Sequence, residues 1–391
     1  MTHTPLRIGM IGIGGFAQTH IASLRTLQYA GRCRLVAVAD PTAARHPETV
    51  AALAWENVAL YDDYRALIAR DDIDAVVIAT PIFLHAPMAS AAMAAGKHVY
   101  LEKPPCATLA EYEALEAARQ AGGRVCAVGF QMQAAPVYAF MKSVAASGEI
   151  GDLTHVWAAA RWPRGDDYYG RAAWAGRMSV DGAPVFDGPA TNALAHVVQA
   201  AMGIAGAPVR VRGKLMRARP IESYDTSFLE AETAPGVDVS LLFTHASTQA
   251  YGPVMRLRGT RGEAQFDWGK KASVTRRGET VAYDFRNVDM VSIMLDFFRA
   301  VEEGAQPAAP LPETLAFLQV VSGALQSGGG VASFERGQVL APDDGAASRV
   351  YAVAGLDEQV DAFVAEPGAR PALLPAGKWV RVEAISKELS A

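Results

Sequence analysis

The chain has 391 residues, 51% of them hydrophobic and 20% charged, which is the profile of a folded globular protein and excludes a disordered one. The length suits two domains with well-buried cores. A formal net charge of -5 excludes the global basic field of a nucleic-acid binder.

Taken in chain order, Leu6–Ile11 is a short apolar run followed at once by glycines, and Gly15 to about Gln28 has helical spacing. Leu35–Ala39 is a second buried-strand run ending in Asp40, and Leu60 marks a weak third. Ala75–Ala79, His98–Leu101 and Val125–Phe130 are further strands, separated by helices at Ala86–Ala95 and Leu109–Ala121. Short unalternating apolar strands between helices predict a parallel sheet covered on both faces, in an α/β doubly wound dinucleotide (Rossmann) domain over residues 1–130.

The pattern changes after Phe130. A helix over Pro136–Ser147 leads into strands at Thr154–Ala160, Val209–Met216, Ser227–Glu232, Val237–Thr244, Val254–Arg258, Glu263–Phe266 and Thr280–Asp284. Several alternate polar with apolar residues, which predicts an α+β second domain over residues 131–391 with a large, mainly antiparallel open sheet. Helices follow at about Met290–Glu303 and Pro312–Gln326, and residues 334–391 read as a C-terminal extension.

Cys33, Cys106 and Cys126 are few, odd in number and unpatterned, which fits a reducing compartment. No Cys or His pair has zinc-site spacing, so no metal is expected. The N-terminal apolar stretch is too short and glycine-rich for a signal peptide, and no stretch has the roughly 18 apolar residues of a membrane span. A cytoplasmic protein without a membrane partner is expected.

Gly12-Ile13-Gly14-Gly15-Phe16-Ala17 is GxGxxA between a strand and a helix. Gly12 permits the tight turn, Gly14 removes a side chain that would block a pyrophosphate, and Ala17 lets the helix approach the strand. Asp40, closing the second strand, suits the hydroxyls of an adenosine ribose and repels a 2′-phosphate, which favours NAD over NADP. The competing reading of Asp40 is a turn or helix-cap aspartate before Pro41, and Arg45 lies close enough in sequence to serve a 2′-phosphate.

ATPIFLH (Ala79–His85) and AAGKHVYLEKP (Ala94–Pro104), taken with the glycine loop, closely resemble the Gfo/Idh/MocA oxidoreductases, over Arg7 to about Gln326. The resemblance implies that Thr80 and Pro81 line the nicotinamide side, with His85 supporting that pocket and Glu102 beside it. It also implies that Lys103 is catalytic. That family's second motif sets a glycine, an aspartate and a histidine at intervals of four; here they are Gly188, Asn192 and His196, with Gln199 where another aspartate is common.

Asn192 and His196, four apart, would share one helix face. A histidine suits removal of a hydroxyl proton during hydride transfer, and a lysine can stabilise alkoxide character. His196 is therefore read as the base, Lys103 as the oxygen-orienting cation and Asn192 as a positioning group. Asp187 is a candidate for the missing negative charge and for contact with the substrate. His20 and His98 read as structural. Gln131 and Gln133 follow the sixth strand and suit substrate contact, while Trp162, Tyr168, Trp174 and Arg177, in the segment 161–177, suit stacking on a sugar; an ordinary surface loop is the alternative.

The function expected is NAD-dependent hydride transfer between nicotinamide and a hydroxyl of a sugar, polyol or related carbohydrate. Two alternatives remain: a retained-NAD glycosidase or lyase working by transient oxidation, and a non-catalytic NAD(P)-binding sensor. The basic residues from Arg256 to Arg277 lack aromatic interleaving and suit a sheet face or subunit contact. By resemblance, the open sheet implies a homodimer or homotetramer.

Overall fold

Strands without a polar face are stable only when covered on both sides. In the computed structural model, which describes residues 4–268, 270–340, 347–366 and 368–387, the N-terminal apolar runs form one six-stranded parallel sheet. Its elements are β1 (Leu6–Ile11), α1 (Ala17–Tyr29), β2 (Cys33–Ala39), α2 (Pro47–Trp55), β3 (Ala59–Tyr61), α3 (Tyr64–Ile68), β4 (Ala75–Ile78), α4 (Ile82–Ala94), β5 (His98–Leu101), α5 (Leu109–Gly122) and β6 (Cys126–Val128). The strand order is β3-β2-β1-β4-β5-β6, the doubly wound arrangement whose winding reverses between β1 and β4.

The expected elements are present, with differences at their ends. Helix α4 starts at Ile82 instead of Ala86, because Pro81 has the extended backbone of a helix entry, and Pro87 is then carried inside the helix. Helix α3, at five residues, is too short for periodicity to reveal it. Strand β6 is three residues long because the chain turns at Phe130, whose amide donates to the Val128 carbonyl.

By internal contacts the chain divides into two compact units. The first combines the chain up to Cys106 with Ala110–Ala134 and Val288–Thr314; the second combines Ala107–Leu109, Ala135–Asn287 and the chain from Leu315 onward. The boundary expected after residue 130 is therefore crossed a second time. Helix Met290–Glu303 returns to the first unit because Ile293, Met294, Phe297 and Phe298 bury against the cluster of Ile8, Met10, Ile21 and Leu24.

The second unit holds a ten-stranded sheet. Its order is Glu279–Asp284, Lys271–Arg276, Gly262–Asp267, Tyr251–Gly259, Leu153–Arg161, Asp238–Thr244, Thr226–Thr233, Pro208–Arg217 and Val331–Ser333, with Val380–Arg381 also pairing Pro208–Arg217. Leu153–Arg161 runs parallel to Asp238–Thr244, and Pro208–Arg217 parallel to Val331–Ser333; the other pairings are antiparallel. Strand Lys271–Arg276 was hidden in sequence by its basic residues, yet Ala272 and Val274 alternate inward.

Within the C-terminal extension, 341–346, 367 and 388–391 lie outside the described residues. The rest lies over the sheet: Leu356, Val360, Phe363 and Leu374 bury against Trp157, Phe228 and Leu242. Arg161 fixes the extension's helix, Leu356–Ala365, to the sheet, donating to the Asp357 carbonyl at 3.1 Å and pairing with Asp361 at 3.1 Å. No helix among the described residues is long and apolar enough to cross a membrane.

Phe363 is fully buried, edge-on to Phe228 at 5.9 Å between centroids. Phe363→Ala is therefore expected to lower stability by about 3–5 kcal/mol in urea denaturation. A loss below about 1 kcal/mol would show that the extension does not pack as a core layer.

Candidate functional site

The glycine loop lies at the winding reversal. Gly12 donates to the Ala39 carbonyl at the end of β2, while Ile11 accepts from Ala79 beyond β4. Gly12 has φ +92°, and a Cβ there would lie 2.4 Å from the Ala79 carbonyl oxygen. Only glycine fits. The first amides of α1, from Ala17, Gln18 and Thr19, bond to the carbonyls of Gly14, Gly15 and Phe16. The amides of Gly14, Gly15 and Phe16 themselves have no protein acceptor among the described residues, and donors of this kind before a helix N-terminus suit a pyrophosphate.

Asp40 is buried at the end of β2. Its Oδ2 accepts from the Ile13 amide at 2.9 Å, and its Oδ1 accepts from the Thr42 amide and hydroxyl at 2.7 Å. The turn reading of this residue thus holds in the structure. A carboxylate offers about four acceptor positions, so the ribose reading also keeps room for one more donor. Arg45 is exposed.

Thr80 and Pro81 stand at the end of β4, beside the glycine loop. The Thr80 hydroxyl is buried and has no hydrogen-bond partner among the described residues, an orphan of the kind a bound polar group relieves. His85 joins two motifs: its Nε2 lies 2.8 Å from the Thr80 carbonyl and its Nδ1 2.7 Å from the Pro104 carbonyl. Burial pushes its pKa down, and the two carbonyls pull part of that back. Its place is that of a brace.

Glu102, expected beside the cofactor, is turned inward instead. Its Oε1 lies 2.7 Å from His20 Nε2, and its Oε2 accepts from the Lys103 amide at 3.2 Å. The sequence carried no signal for this pairing, because His20 and Glu102 are 82 residues apart. Lys103 follows β5 at the carboxyl edge of the sheet, where ligands of such sheets bind. Gln131 opens a 3₁₀ turn and lines a small crevice with Tyr100, Phe130, Asp296 and Phe297; Gln133 lies in the same turn.

In the second unit, Asn192 and His196 do not share an α-helix. Pro189–Ala193 is a π-helical turn closed by the Leu194 amide on the Pro189 carbonyl at 2.7 Å, and a new α-helix begins at Ala195. The cause is local. A Cβ on Gly188 would lie 2.3 Å from the Tyr224 ring, so glycine admits that ring under the turn. The Tyr224 hydroxyl accepts from the Thr191 amide at 3.1 Å and lies 2.9 Å from the Thr191 hydroxyl, which itself donates to the Phe186 carbonyl. Such wide turns recur at functional sites. His196 lies in the first turn of the new helix, with its ring edge-on to Trp268 at 6.1 Å.

Asp187 is not placed to meet a substrate. It is buried, and it accepts from the Gly176 amide at 2.8 Å, Asn192 Nδ2 at 2.7 Å and Arg171 at 3.1 Å. A sealed carboxylate needs these donors, so it serves as the anchor of Asn192 and Arg171. The residue that replaces the family's aspartate is thus hydrogen-bonded to an aspartate five positions earlier.

The segment 161–177 interleaves arginines with rings. Arg171 lies 3.7 Å from the Tyr168 centroid and 4.7 Å from that of Trp174; Arg164 lies over Tyr168 and Trp162. Trp162 also donates to the Gly252 carbonyl at 3.0 Å. Arg177 is outside this stack, mostly exposed and 3.8 Å from Glu222. Behind the stack, Tyr169 bonds His245 Nδ1 at 3.1 Å. Burial, with the Arg164 and Arg171 charges, pushes the His245 pKa down to about 3. Burial pushes Asp225 up to about 6, outweighing the donors from Ala218, Arg219 and Thr226.

Residues 6–130 match a family model described as an oxidoreductase family with an NAD-binding Rossmann fold, and 138–265 match the GFO/IDH/MocA C-terminal domain. The chain belongs to the Gfo/Idh/MocA oxidoreductase family. It is 30% identical over 233 residues to a dTDP-3,4-didehydro-2,6-dideoxy-alpha-D-glucose 3-reductase of Streptomyces violaceoruber, covering 58% of this chain and 65% of that protein. It is 37% identical over 148 residues to inositol 2-dehydrogenase 1 of Saccharopolyspora erythraea, covering 38% of this chain and 43% of that protein. The matched stretches thus span less than two thirds of these relatives. The fold is that of the WlbA dehydrogenase of Bordetella pertussis, solved with NADH and UDP-GlcNAcA, with a TM-score of 0.70, 22% identity and coverage of 83% of this chain and 96% of that one.

Restoring the family's acid by Asn192→Asp would set two carboxylates in contact at Asp187. The variant is expected to be less stable at neutral pH by about 1–3 kcal/mol in urea denaturation. The deficit should shrink as acid protonates one of the pair. Wild-type stability at neutral pH in the variant would rule out the Asn192–Asp187 bond.

The pH dependence of stability follows from His245 and Asp225. His245 is depressed in the folded state, so its contribution is lost as pH falls from 6.5 towards about 3. Asp225 is raised, so its contribution grows as pH falls from about 6 towards 3.8. The two oppose each other in that window. Asp225→Asn removes the second, so its urea midpoint should drop more steeply with acid than the wild type's; parallel profiles would contradict a raised Asp225.

Proposed function

We propose that the chain is an NAD-dependent dehydrogenase that exchanges hydride between nicotinamide and a hydroxyl of a sugar, polyol or related carbohydrate. The observation that carries this reading is the dinucleotide cradle of the first unit: amides of Gly14 to Phe16 without protein acceptors among the described residues, at the N-terminus of α1 and beside an orphaned Thr80 hydroxyl. The relatives' names, a sugar reductase and an inositol dehydrogenase, support the substrate class.

Gly12 to Ala17 would hold the pyrophosphate, Asp40 the adenosine ribose, and Thr80 and Pro81 the nicotinamide side, with Glu102 and His85 bracing that edge. The buried Asp40 carboxylate disfavours a 2′-phosphate, which supports NAD over NADP. The bound dinucleotide supplies the hydride acceptor. His196 takes the hydroxyl proton onto its imidazole, Lys103 Nζ donates to the substrate oxygen and steadies its growing negative charge, and Asn192, fixed by Asp187, orients a hydroxyl. Gln131, Trp162 and Trp174 are assigned to the substrate. Three buried free thiols support a reducing, cytoplasmic setting. The exposed outer strand Glu279–Asp284 supports homo-oligomer formation through sheet surface that the C-terminal extension leaves open.

The test is near-ultraviolet absorbance of reduced nicotinamide, with NAD or NADP and a panel of sugars, polyols, sugar acids and glycosides. Turnover with NAD is expected, and His196→Ala should lower kcat/KM by about a hundredfold to ten-thousandfold. Absence of turnover, from folded protein that frees NAD only on denaturation, would replace this reading with a retained-cofactor glycosidase or lyase.

A further inference from the structure

The stack in the segment 161–177 contains a cation with no carboxylate at ion-pair distance among the described residues. Arg171 is matched by Asp187 at 3.1 Å. Arg219 and Arg349 share Asp166, and Asp167 accepts from the Ser348 hydroxyl. Arg177 faces Glu222. Arg164 has no carboxylate at ion-pair distance among the described residues, and its Nε is buried without a hydrogen-bond partner. It is half-buried, with its guanidinium 5.3 Å from the Trp162 centroid and 4.9 Å from that of Tyr168. Of the other titratable groups around it, Asp167 acts on Arg164 from beyond ion-pair distance and Tyr168 lies against it, while His245, its pKa pushed down first by burial and then by the Arg164 and Arg171 charges, supplies no compensating charge.

A guanidinium stacked by its faces on aromatic rings keeps its donors in the plane, where they match the fork of a carboxylate or phosphate. Stacking also removes water from those faces, which strengthens attraction for an anion. Trp162 and Tyr168 then provide apolar faces for a sugar ring next to that anion. We propose that Arg164 is an anion anchor, so that the carbohydrate taken by this chain carries an acidic oxygen group, a carboxylate or a phosphate. The carbohydrate part rests on the function proposed above; the anion part rests on Arg164 alone.

The test is titration of intrinsic tryptophan fluorescence, to which Trp162 contributes, in the presence of NAD. The probes are D-glucuronate, D-glucose 6-phosphate and D-glucose, at low and raised salt. Wild-type protein is expected to bind at least one acid about tenfold more tightly than glucose, with the preference weakening in salt. Whichever acid wins identifies carboxylate or phosphate. Arg164→Gln should bring the acid-to-glucose ratio close to one, and Arg164→Lys, a point charge without the fork, should keep part of it.

A wild-type ratio near one for both acids would overturn the proposal, as would a preference that survives Arg164→Gln. If the Gln variant does not fold, the Lys variant decides: an undiminished preference there, together with loss of salt sensitivity, also overturns it. The titration needs no turnover. Acid preference without NAD reduction would remove the dehydrogenase reading and keep the anchor, whereas NAD reduction with glucose and no acid preference would do the reverse.

Discussion

The first unit depends on a steric constraint at the point where its sheet reverses its winding. Strands β1 and β4 are neighbours, but the chain leaves them toward opposite faces, so a crevice opens at their carboxyl ends. Gly12 bridges it by bonding toward β2 while the Ala79 carbonyl approaches within 2.4 Å of the place a Cβ would occupy. That approach puts the glycine loop beside Thr80, and it leaves loop amides and a threonine hydroxyl with their hydrogen-bonding capacity unspent. Polar groups in this condition are the physical content of a binding site: the Thr80 hydroxyl is buried without a partner among the described residues, and the loop amides at the exposed positions Gly15 and Phe16 are open to an outside acceptor.

In the second unit a buried charge has the corresponding role. Asp187 is buried away from water, and Gly176, Arg171 and Asn192 donate to it there. Through these bonds it fixes three separate pieces of chain: the turn after Trp174, the arginine stacked on Tyr168 and the carboxamide of the π-helical turn. A carboxamide at position 192 is then the consistent choice, since it donates where an aspartate would repel. The substitution away from the family's pattern and the presence of Asp187 are two halves of one electrostatic arrangement.

The C-terminal extension changes what the large sheet can offer. Trp157 on Leu153–Arg161 and Phe228 on Thr226–Thr233 are buried apolar side chains of the sheet, and a sheet face of that kind must be covered. In this chain Leu356, Val360 and Phe363 cover part of it from within the same molecule, with Arg161 tied to Asp361 at the margin. The outer strand Glu279–Asp284 stays largely exposed.

Much of this was legible in the sequence. Unalternating apolar strands, the GxGxxA loop, and the TPxxxH and EKP stretches specify a doubly wound dinucleotide domain, because period, turn chemistry and loop sterics are local properties of neighbouring residues. Alternation likewise foretold the open sheet. What only the tertiary structure decided are pairings between distant residues: His20 with Glu102, Tyr224 beneath Gly188, and Met290–Glu303 on the first unit's core. The i, i+4 spacing of Asn192 and His196 suggested one helix face, yet the Tyr224 ring and the Thr191 bonds turned that stretch into a π-helical turn. Asp187, read as a group for substrate, became an anchor. Sequence spacing records which residues can be near one another along an element; which buried charge finds which donor depends on packing that brings remote segments together, and no local pattern encodes it.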